Sequence, residues 1–300
     1  MSDDWIAVDW GTSRLRVWRM MGDRVIASAS SDQGMGTLSR DGFEPALLGL
    51  IDGWLGAGVT QVIACGMVGA RQGWVEAPYA SVPVVPLGIA ACAPVRDPRL
   101  RVSVIAGLKQ MQPADVMRGE ETQIAGFMAL HPGWDGVICL PGTHTKWAQI
   151  SAGEVVSFQT FMTGEMFALL GRDSVLRHSV SKDGWDAAAF DTAVSATLSR
   201  PEALAARLFG LRAGGLVTAP DADAPVRARS ALSGLLIGAE LAAARPYWLG
   251  TDVAIVGGAG QSAAYAAALG AQGVSCRQID AQQATLAGLV AAYSRTKDMP

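Results

Sequence analysis

Residues 6–16, IAVDWGTSRLR, place one carboxylate, Asp9, after the apolar run Ile6, Ala7, Val8, and follow it with a short turn containing Gly11, Thr12 and Ser13. Beyond the turn, Leu15 and Val17 restore alternation, so strand, turn, strand is the expected local structure. Backbone N–H groups and hydroxyls in such a turn can surround phosphate oxygens. An acid closing the first strand is placed to hold Mg²⁺ through its water ligands. An ordinary hairpin with a polar turn accounts for these residues equally well.

A second stretch has the same construction. Residues 137–140 read as a strand, 141–145 (PGTHT) as the turn and 147–150 as the return strand. A shift of 131 positions lays Gly11 on Gly142, Thr12 on Thr143, Gly22 on Gly153, Asp23 on Glu154 and Val25 on Val156. Asp9 falls opposite Leu140, so only the first copy carries the acid. The pattern implies one supersecondary unit used twice. Another glycine cluster, Gly257-Gly258-Ala259-Gly260, follows the apolar strand 253–256 and precedes a helix expected over 262–269. Such a turn lets backbone approach a nucleotide without interference from Cβ, although close packing of helix on strand uses glycine in the same way.

Other residues offer chemistry of their own. Residues 66–86 form a long irregular segment of the kind that often binds ligands. It holds Arg71, Trp74, Glu76 and Tyr79. Arg71 suits a carboxylate, which a guanidinium meets with two parallel hydrogen bonds, but a solvated arginine fits the sequence too. Glu120 and Glu121 open a helix expected over 119–130. Acids there are favoured by the helix dipole, and a carboxylate pair at that place is also a candidate general base. Thr163 reads as the N-cap of a helix over 166–170, with ligand contact by Thr163 or Glu165 as the sharper alternative. The segment from Lys109 to Arg118 reads as a loop.

The elements that must carry these residues alternate strands with helices, as in a sheet covered by helices. Helices are expected over 43–55, through much of 172–229, over 230–245 and over 281–295, where Asp280 and Gln283 form a capping-box pattern. Three hundred residues suit two domains, read as 1–131 and 132–300. A net charge of −3 and a pI near 5.6 supply no basic field for nucleic acid. No stretch reads as a membrane span. Cys65, Cys92, Cys139 and Cys276 form no CxxC pair and read, with no leader evident at the N-terminus, as buried reduced thiols of a cytoplasmic protein. His131, His144 and His178 lack metal-ligand spacing.

Two phosphate-facing hairpins and a glycine-rich nucleotide turn resemble the actin-like ATPase and sugar-kinase superfold. That resemblance implies an α/β, two-domain, ribonuclease H-like architecture with an inter-domain nucleotide cleft, and places the helices at 120–130 and 281–295 as the connecting helices. More closely, DWGTSRLRVW, GMVGARQGWVEAPY, RGEETQIAG, LPGTHTKW and TFMTGE, in this order, resemble the 2-dehydro-3-deoxygalactonokinase family. The resemblance implies ATP-dependent phosphorylation of 2-dehydro-3-deoxy-D-galactonate at its terminal hydroxyl, giving the 6-phosphate and ADP in galactonate degradation. A kinase of another 2-keto-3-deoxy sugar acid and an exopolyphosphatase-like phosphohydrolase are the alternatives.

The implied site has Asp9 on Mg²⁺ and ATP held by Gly11, Thr12, Ser13, Arg14, Gly142, Thr143, Thr145, Gly257, Gly258 and Ala259. Arg71, Trp74, Glu76, Tyr79, Thr163 and Glu165 are the sugar-acid candidates. Many sugar kinases carry a basic aspartate after the second turn, where this chain reads His144-Thr145-Lys146. The base candidates are therefore Glu120, Glu121 and His144, with Lys146 or Arg14 to neutralise charge on the transferred group. A small-molecule substrate is the expected partner, and homo-oligomer formation is left open.

Overall fold

The computed structural model describes residues 4–219 and 221–297, with the backbone alone at 89 and 90. The chain divides into two units. The first comprises Met1–Asp135, Ile150–Ser157 and Ile279–Pro300, and the second Gly136–Gln149 and Phe158–Gln278.

The opening apolar run becomes β1 (Asp4–Trp10), which pairs antiparallel with β2 (Leu15–Met21), itself antiparallel to β3 (Arg24–Ser31). Helix α1 (Phe43–Ile51) then leads to β4 (Thr60–Gly66), parallel to β1 on its other side. After β5 (Tyr79–Ser81) and β6 (Ile89–Cys92) comes β7 (Leu100–Ile105), completing a six-stranded sheet of order β3-β2-β1-β4-β7-β6. The period of two divides β1 between two cores. Ile6, Val8 and Trp10 face a cluster with Phe43, Leu47 and Trp74, whereas Trp5 and Ala7 face α9 (Ala281–Lys297), where Trp5 stacks on Tyr293 at 4.3 Å. Asp9 shares the second face with Cys65, its neighbour in register on β4.

The sequence repeat is repeated in the topology. Strands β10 (Gly136–Leu140), β11 (Thr145–Ser151) and β12 (Glu154–Phe161) belong, with β13 (Val253–Gly257) and β14 (Cys276–Asp280), to a sheet of order β12-β11-β10-β13-β14. This matches β3-β2-β1-β4-β7 position for position. Gly22 and Gly153, matched by the shift of 131, both take positive φ (62° and 79°) at the second hairpin turn. The α/β class with mixed sheets agrees with the actin-like architecture implied by the motifs.

The segment expected as a loop near Lys109 is instead a hairpin. Strands β8 (Gly107–Met111) and β9 (Ala114–Met117) pair around a cis Gln112-Pro113 bond, and β5 joins them in a three-stranded sheet. Alternation over so few residues was too weak a signal to identify them. Of the four free cysteines, Cys65 and Cys139 are buried in β4 and β10, but Cys92 is exposed and Cys276 only half-buried, against the expectation that all four are buried.

Helix α2 (Glu120–Leu130) lies against α9 with backbone nearly touching backbone. A Cβ on Gly126 would stand 1.8 Å from the Ala284 carbonyl oxygen, and one on Gly288 2.0 Å from that of Thr122. Asp280 caps α9 by accepting from the Gln282 and Gln283 amides. Gly126→Ala is expected to destabilise the chain by about 3 kcal/mol or more, lowering the thermal midpoint by roughly 6 °C. Gly49→Ala, whose new methyl meets open space in α1, should leave the midpoint unchanged or raised. Equal midpoints for Gly126→Ala and wild type would contradict the close packing.

Candidate functional site

In the first unit, the β1–β2 turn is braced from behind by the loop after β3. Met35 N–H donates to the Gly11 carbonyl (3.0 Å) and Gly36 N–H to that of Thr12 (2.8 Å). A Cβ on Gly34 would lie 2.3 Å from both Thr12 O and Ser13 C, so only glycine fits. The Trp10 indole fixes the same loop by donating to the Gln33 carbonyl. Thr12, Ser13 and Arg14 are consequently held outward and exposed, with Arg14 3.6 Å from Asp32.

Asp9 is the penultimate residue of β1, beside this turn. Its Oδ2 accepts from Arg16 Nη2 at 2.5 Å, a pairing set by the β1–β2 register, in which the two residues are opposite. Oδ1 has no partner among the described residues. Burial raises the Asp9 carboxyl above its ordinary value against the lowering effect of Arg16. A nearby divalent cation reverses that balance and favours the anion. One free carboxylate oxygen suits Mg²⁺, which keeps most of its waters and takes few protein ligands.

Gly66 (φ 90°) approaches Asp9, and Gly119 (φ 103°) approaches Gly66: a Cβ on Gly66 would meet the Trp10 carbonyl at 2.7 Å and Asp9 Oδ1 at 3.6 Å, and one on Gly119 would meet Gly66 at 3.4 Å. Just beyond lie the two glutamates of α2. Glu121 is fully buried, its carboxylate accepting from Gly119 N–H (2.6 Å) and the Thr122 hydroxyl (3.1 Å). Burial, reinforced by the neighbouring charge of Glu120, pushes the Glu121 carboxyl up to about 8. Glu120 is half-buried and accepts from Arg118 N–H.

The sugar-acid candidates of the first unit are in different environments. Arg71 is exposed, with Nε 3.6 Å from Glu76. Trp74 is buried against Trp10 and Phe43 and donates to the Pro94 carbonyl, so its bulk is used in the core. Tyr79 lies beneath the guanidinium of Arg118, 4.2 Å from the ring centroid. Arg118 Nη2 donates to the Ala77 carbonyl, whereas its buried Nε and Nη1 have no partner among the described residues.

The second unit repeats the brace. Helix α3 (Thr163–Asp173) starts so close to the second turn that a Cβ on Gly164 would lie 2.1 Å from the Gly142 carbonyl oxygen. Glu165 N–H donates to the Thr143 carbonyl (2.9 Å), and its carboxylate oxygen lies 2.7 Å from His144 Nε2. His144 and Glu165, proposed from sequence for different tasks, thus form one accessible pair. Thr143 and His144 remain exposed, but Thr145 is 1% exposed and its hydroxyl meets that of Tyr265 at 2.9 Å, which removes it from the turn's surface. Lys146 is buried, donating from Nζ to the Thr160 hydroxyl. Thr163 does not cap α3; Met162 occupies the cap position, and the Thr163 hydroxyl donates to Glu240 in the last turn of α6 (Ala224–Ala243).

The glycine cluster forms the tight connection from β13 to α8 (Ala259–Gly270), which begins three residues earlier than expected, with Gly258 at the cap. Gly257 is pressed against the Ser262 hydroxyl, which is buried and unpartnered among the described residues. Beside this helix start lies a cavity of about 420 Å³ lined by Gly142, Thr163, Phe167, Trp185, Arg229 and Gln261, among others. Arg229 stands 5.0 Å from the Phe167 ring centroid. The cavity joins an apolar wall to the positive end of a helix, a combination suited to a nucleotide. Glu240, Tyr265, Ser262, Gly34 and Gly164 were not singled out from the sequence, because each is ordinary where it stands and gains meaning only from its neighbours.

Comparison with known proteins gives one consistent result. A family model described as 2-keto-3-deoxy-galactonokinase matches residues 9–292. The curated "Probable 2-dehydro-3-deoxygalactonokinase DgoK1" of Rhizobium meliloti (strain 1021) is 40% identical over 294 residues, covering 95% of each chain. The 2-dehydro-3-deoxygalactonokinase of Escherichia coli (strain K12) is 33% identical over 293 residues, covering 96% of this chain and 97% of the relative. A crystal structure named for the same kinase, from Sinorhizobium meliloti, has a TM-score of 0.91 at 39% identity and covers 98% of this chain and 100% of that one.

Glu121 makes the site's electrostatics measurable. Its carboxyl ionises near 8 in the folded chain against an ordinary 4.5, so between those values the folded chain holds the extra proton and stability falls as pH rises. The thermal midpoint of wild type should therefore decline more steeply from pH 5 to pH 8 than that of Glu121→Gln. Parallel curves would contradict the buried, protonated acid.

Proposed function

The chain belongs to the 2-keto-3-deoxy-galactonokinase family, and from that membership we propose that it transfers the γ-phosphoryl group of ATP to the terminal hydroxyl of 2-dehydro-3-deoxy-D-galactonate. The whole-length match to a curated kinase at 40% identity carries this reading. The two braced glycine turns and the cavity at the start of α8 support it. The hydroxyl oxygen bonds to the γ-phosphorus as the bond to the bridging oxygen breaks, giving the 6-phosphate and ADP. Positioning and electrostatics supply most of the acceleration in such a transfer.

Residues 11–13 and 142–143 are assigned to the phosphates through their backbone N–H groups and exposed hydroxyls. The start of α8, with Gly257, Gly258, Ala259 and the unpartnered Ser262, is assigned to the nucleoside end of ATP. Asp9 would hold Mg²⁺, which when bound neutralises phosphate charge. For the proton of the attacking hydroxyl, the pair His144–Glu165 is the better base. With Glu165 accepting from Nε2–H, the other ring nitrogen is left as an acceptor. Glu121 has both oxygens occupied and is buried away from solvent. Arg71, with Glu76 beside it, is an exposed guanidinium that we assign to the sugar acid's carboxylate. No helix among the described residues is long and apolar enough to cross a membrane. The four free thiols fit a reducing cytoplasm.

A coupled assay of ADP release over a panel of 2-keto-3-deoxy acids tests the reading. Release should stay near background with ATP alone and rise on adding the galactonate-series acid. Sugar-independent release would instead indicate a phosphohydrolase. Asp9→Asn should lower kcat by roughly a hundredfold or more with an unchanged thermal midpoint, and a near-normal rate would remove the metal role.

A further inference from the structure

Among the described residues the buried carboxylate of Glu240 has three hydrogen-bond partners, and every one is a donor. Oε1 accepts from the Trp147 indole (2.8 Å), and Oε2 accepts from the Thr163 and Tyr265 hydroxyls, the latter at 2.7 Å. These partners come from β11, the first residue of α3 and α8, so one acid ties together the elements around the second turn. Packing fixes its place: Gly234 and Gly238, six and two residues before Glu240, bring α6 into backbone contact with α4 (Ala187–Ser199). A carboxylate accepts only, so it determines where its partners' protons point. Tyr265 gives its proton to Glu240 and must therefore accept from Thr145 across their 2.9 Å contact. Thr163 has likewise committed its only proton, yet it lines the 420 Å³ cavity. Its oxygen can meet a ligand only as an acceptor.

Phosphate oxygens carry no proton to offer such a group, whereas a nucleoside offers ribose hydroxyls and, in adenosine, an exocyclic amino group. We propose that Glu240 is a positioning residue that holds the Thr163 hydroxyl as a pure acceptor, so that Thr163 receives a hydrogen-bond donor of the nucleoside half of ATP. This rests on the reading that the cavity takes the nucleotide. It also moves Thr163 from the sugar-acid candidates to the nucleotide. A site built to accept a ligand's proton rejects analogues that lack the donor.

The test is nucleotide affinity by calorimetry, using ATP, 2′-deoxy-ATP, 3′-deoxy-ATP and a purine riboside triphosphate lacking the amino group. Wild type should bind one of these analogues about tenfold more weakly than ATP, and that analogue identifies the donor. In Glu240→Gln the amide oxygen must serve Trp147, which can only donate, so the NH₂ group faces Thr163 and turns its proton outward. This variant should bind ATP about tenfold more weakly and lose the discrimination, with the affinity for the sugar acid unchanged. Thr163→Val, which keeps the side chain's shape, should show the same loss and serves where Glu240→Gln does not fold. The proposal is overturned if no analogue is distinguished by wild type, if both variants keep the discrimination, or if only sugar-acid affinity falls. Wild type that binds no ATP at all would instead sink the assignment of the cavity.

Discussion

Both turns assigned to phosphate depend on one steric constraint: a glycine pressed so closely against each turn that no side chain fits between them. Gly34 does this for residues 11–14 and Gly164 for residues 142–145, with hypothetical Cβ atoms at 2.3 Å and 2.1 Å from turn backbone. The two glycines lie 130 positions apart, each three residues beyond the last strand of its hairpin. Each is followed by an amide that donates back into the turn, Met35 to Gly11 and Glu165 to Thr143. The brace fixes backbone N–H groups at a turn whose other face stays exposed. Preorganised donors of that kind contribute most to a reaction that moves charge among phosphate oxygens.

The repeats diverge in how they handle buried charge. The first unit keeps an acid–base pair, Asp9 with Arg16, with one carboxylate oxygen left open, a state that a cation completes. It also buries Glu121, whose raised pKa expresses the cost of desolvating a charge without a cationic partner. The second unit places apolar Leu140 opposite Asp9 and puts its buried acid on α6 instead. There Glu240 is balanced by three neutral donors. Burial alone raises its carboxyl while those hydrogen bonds pull it down. One unit thus holds an ion pair and a proton-holding acid, and the other oriented hydroxyls and an accessible imidazole.

The strand–turn–strand units were legible because a period of two, interrupted by glycine and hydroxyl residues, suits a hairpin and few structures besides. The shift of 131 was legible because Gly22 and Gly153 are required by positive φ. Gly34 and Gly164 were not, since SDQGMG and FMTGEM share little beyond the glycine and the requirement comes from a chain segment twenty residues away. Glu240 was hidden in an alanine- and leucine-rich helix, where a glutamate ordinarily faces water. Thr163 before a helical stretch satisfies the local rule for a cap, but it lies inside α3, one residue past the cap, and its hydroxyl donates to a buried carboxylate from α6. Trp74 looked like a ligand wall because its loop is irregular, although its indole completes an aromatic core. Local pattern identifies the elements, and partners distant in sequence decide what each polar side chain does.

ATP affinity measured by calorimetry for Gly34→Ala and for Gly164→Ala, each with its circular dichroism spectrum, tests the central claim most directly. A methyl group at either position must displace its turn while leaving the strands in place. The account predicts that each variant keeps the wild-type spectrum and binds ATP at least about tenfold more weakly. Wild-type affinity in both would contradict it.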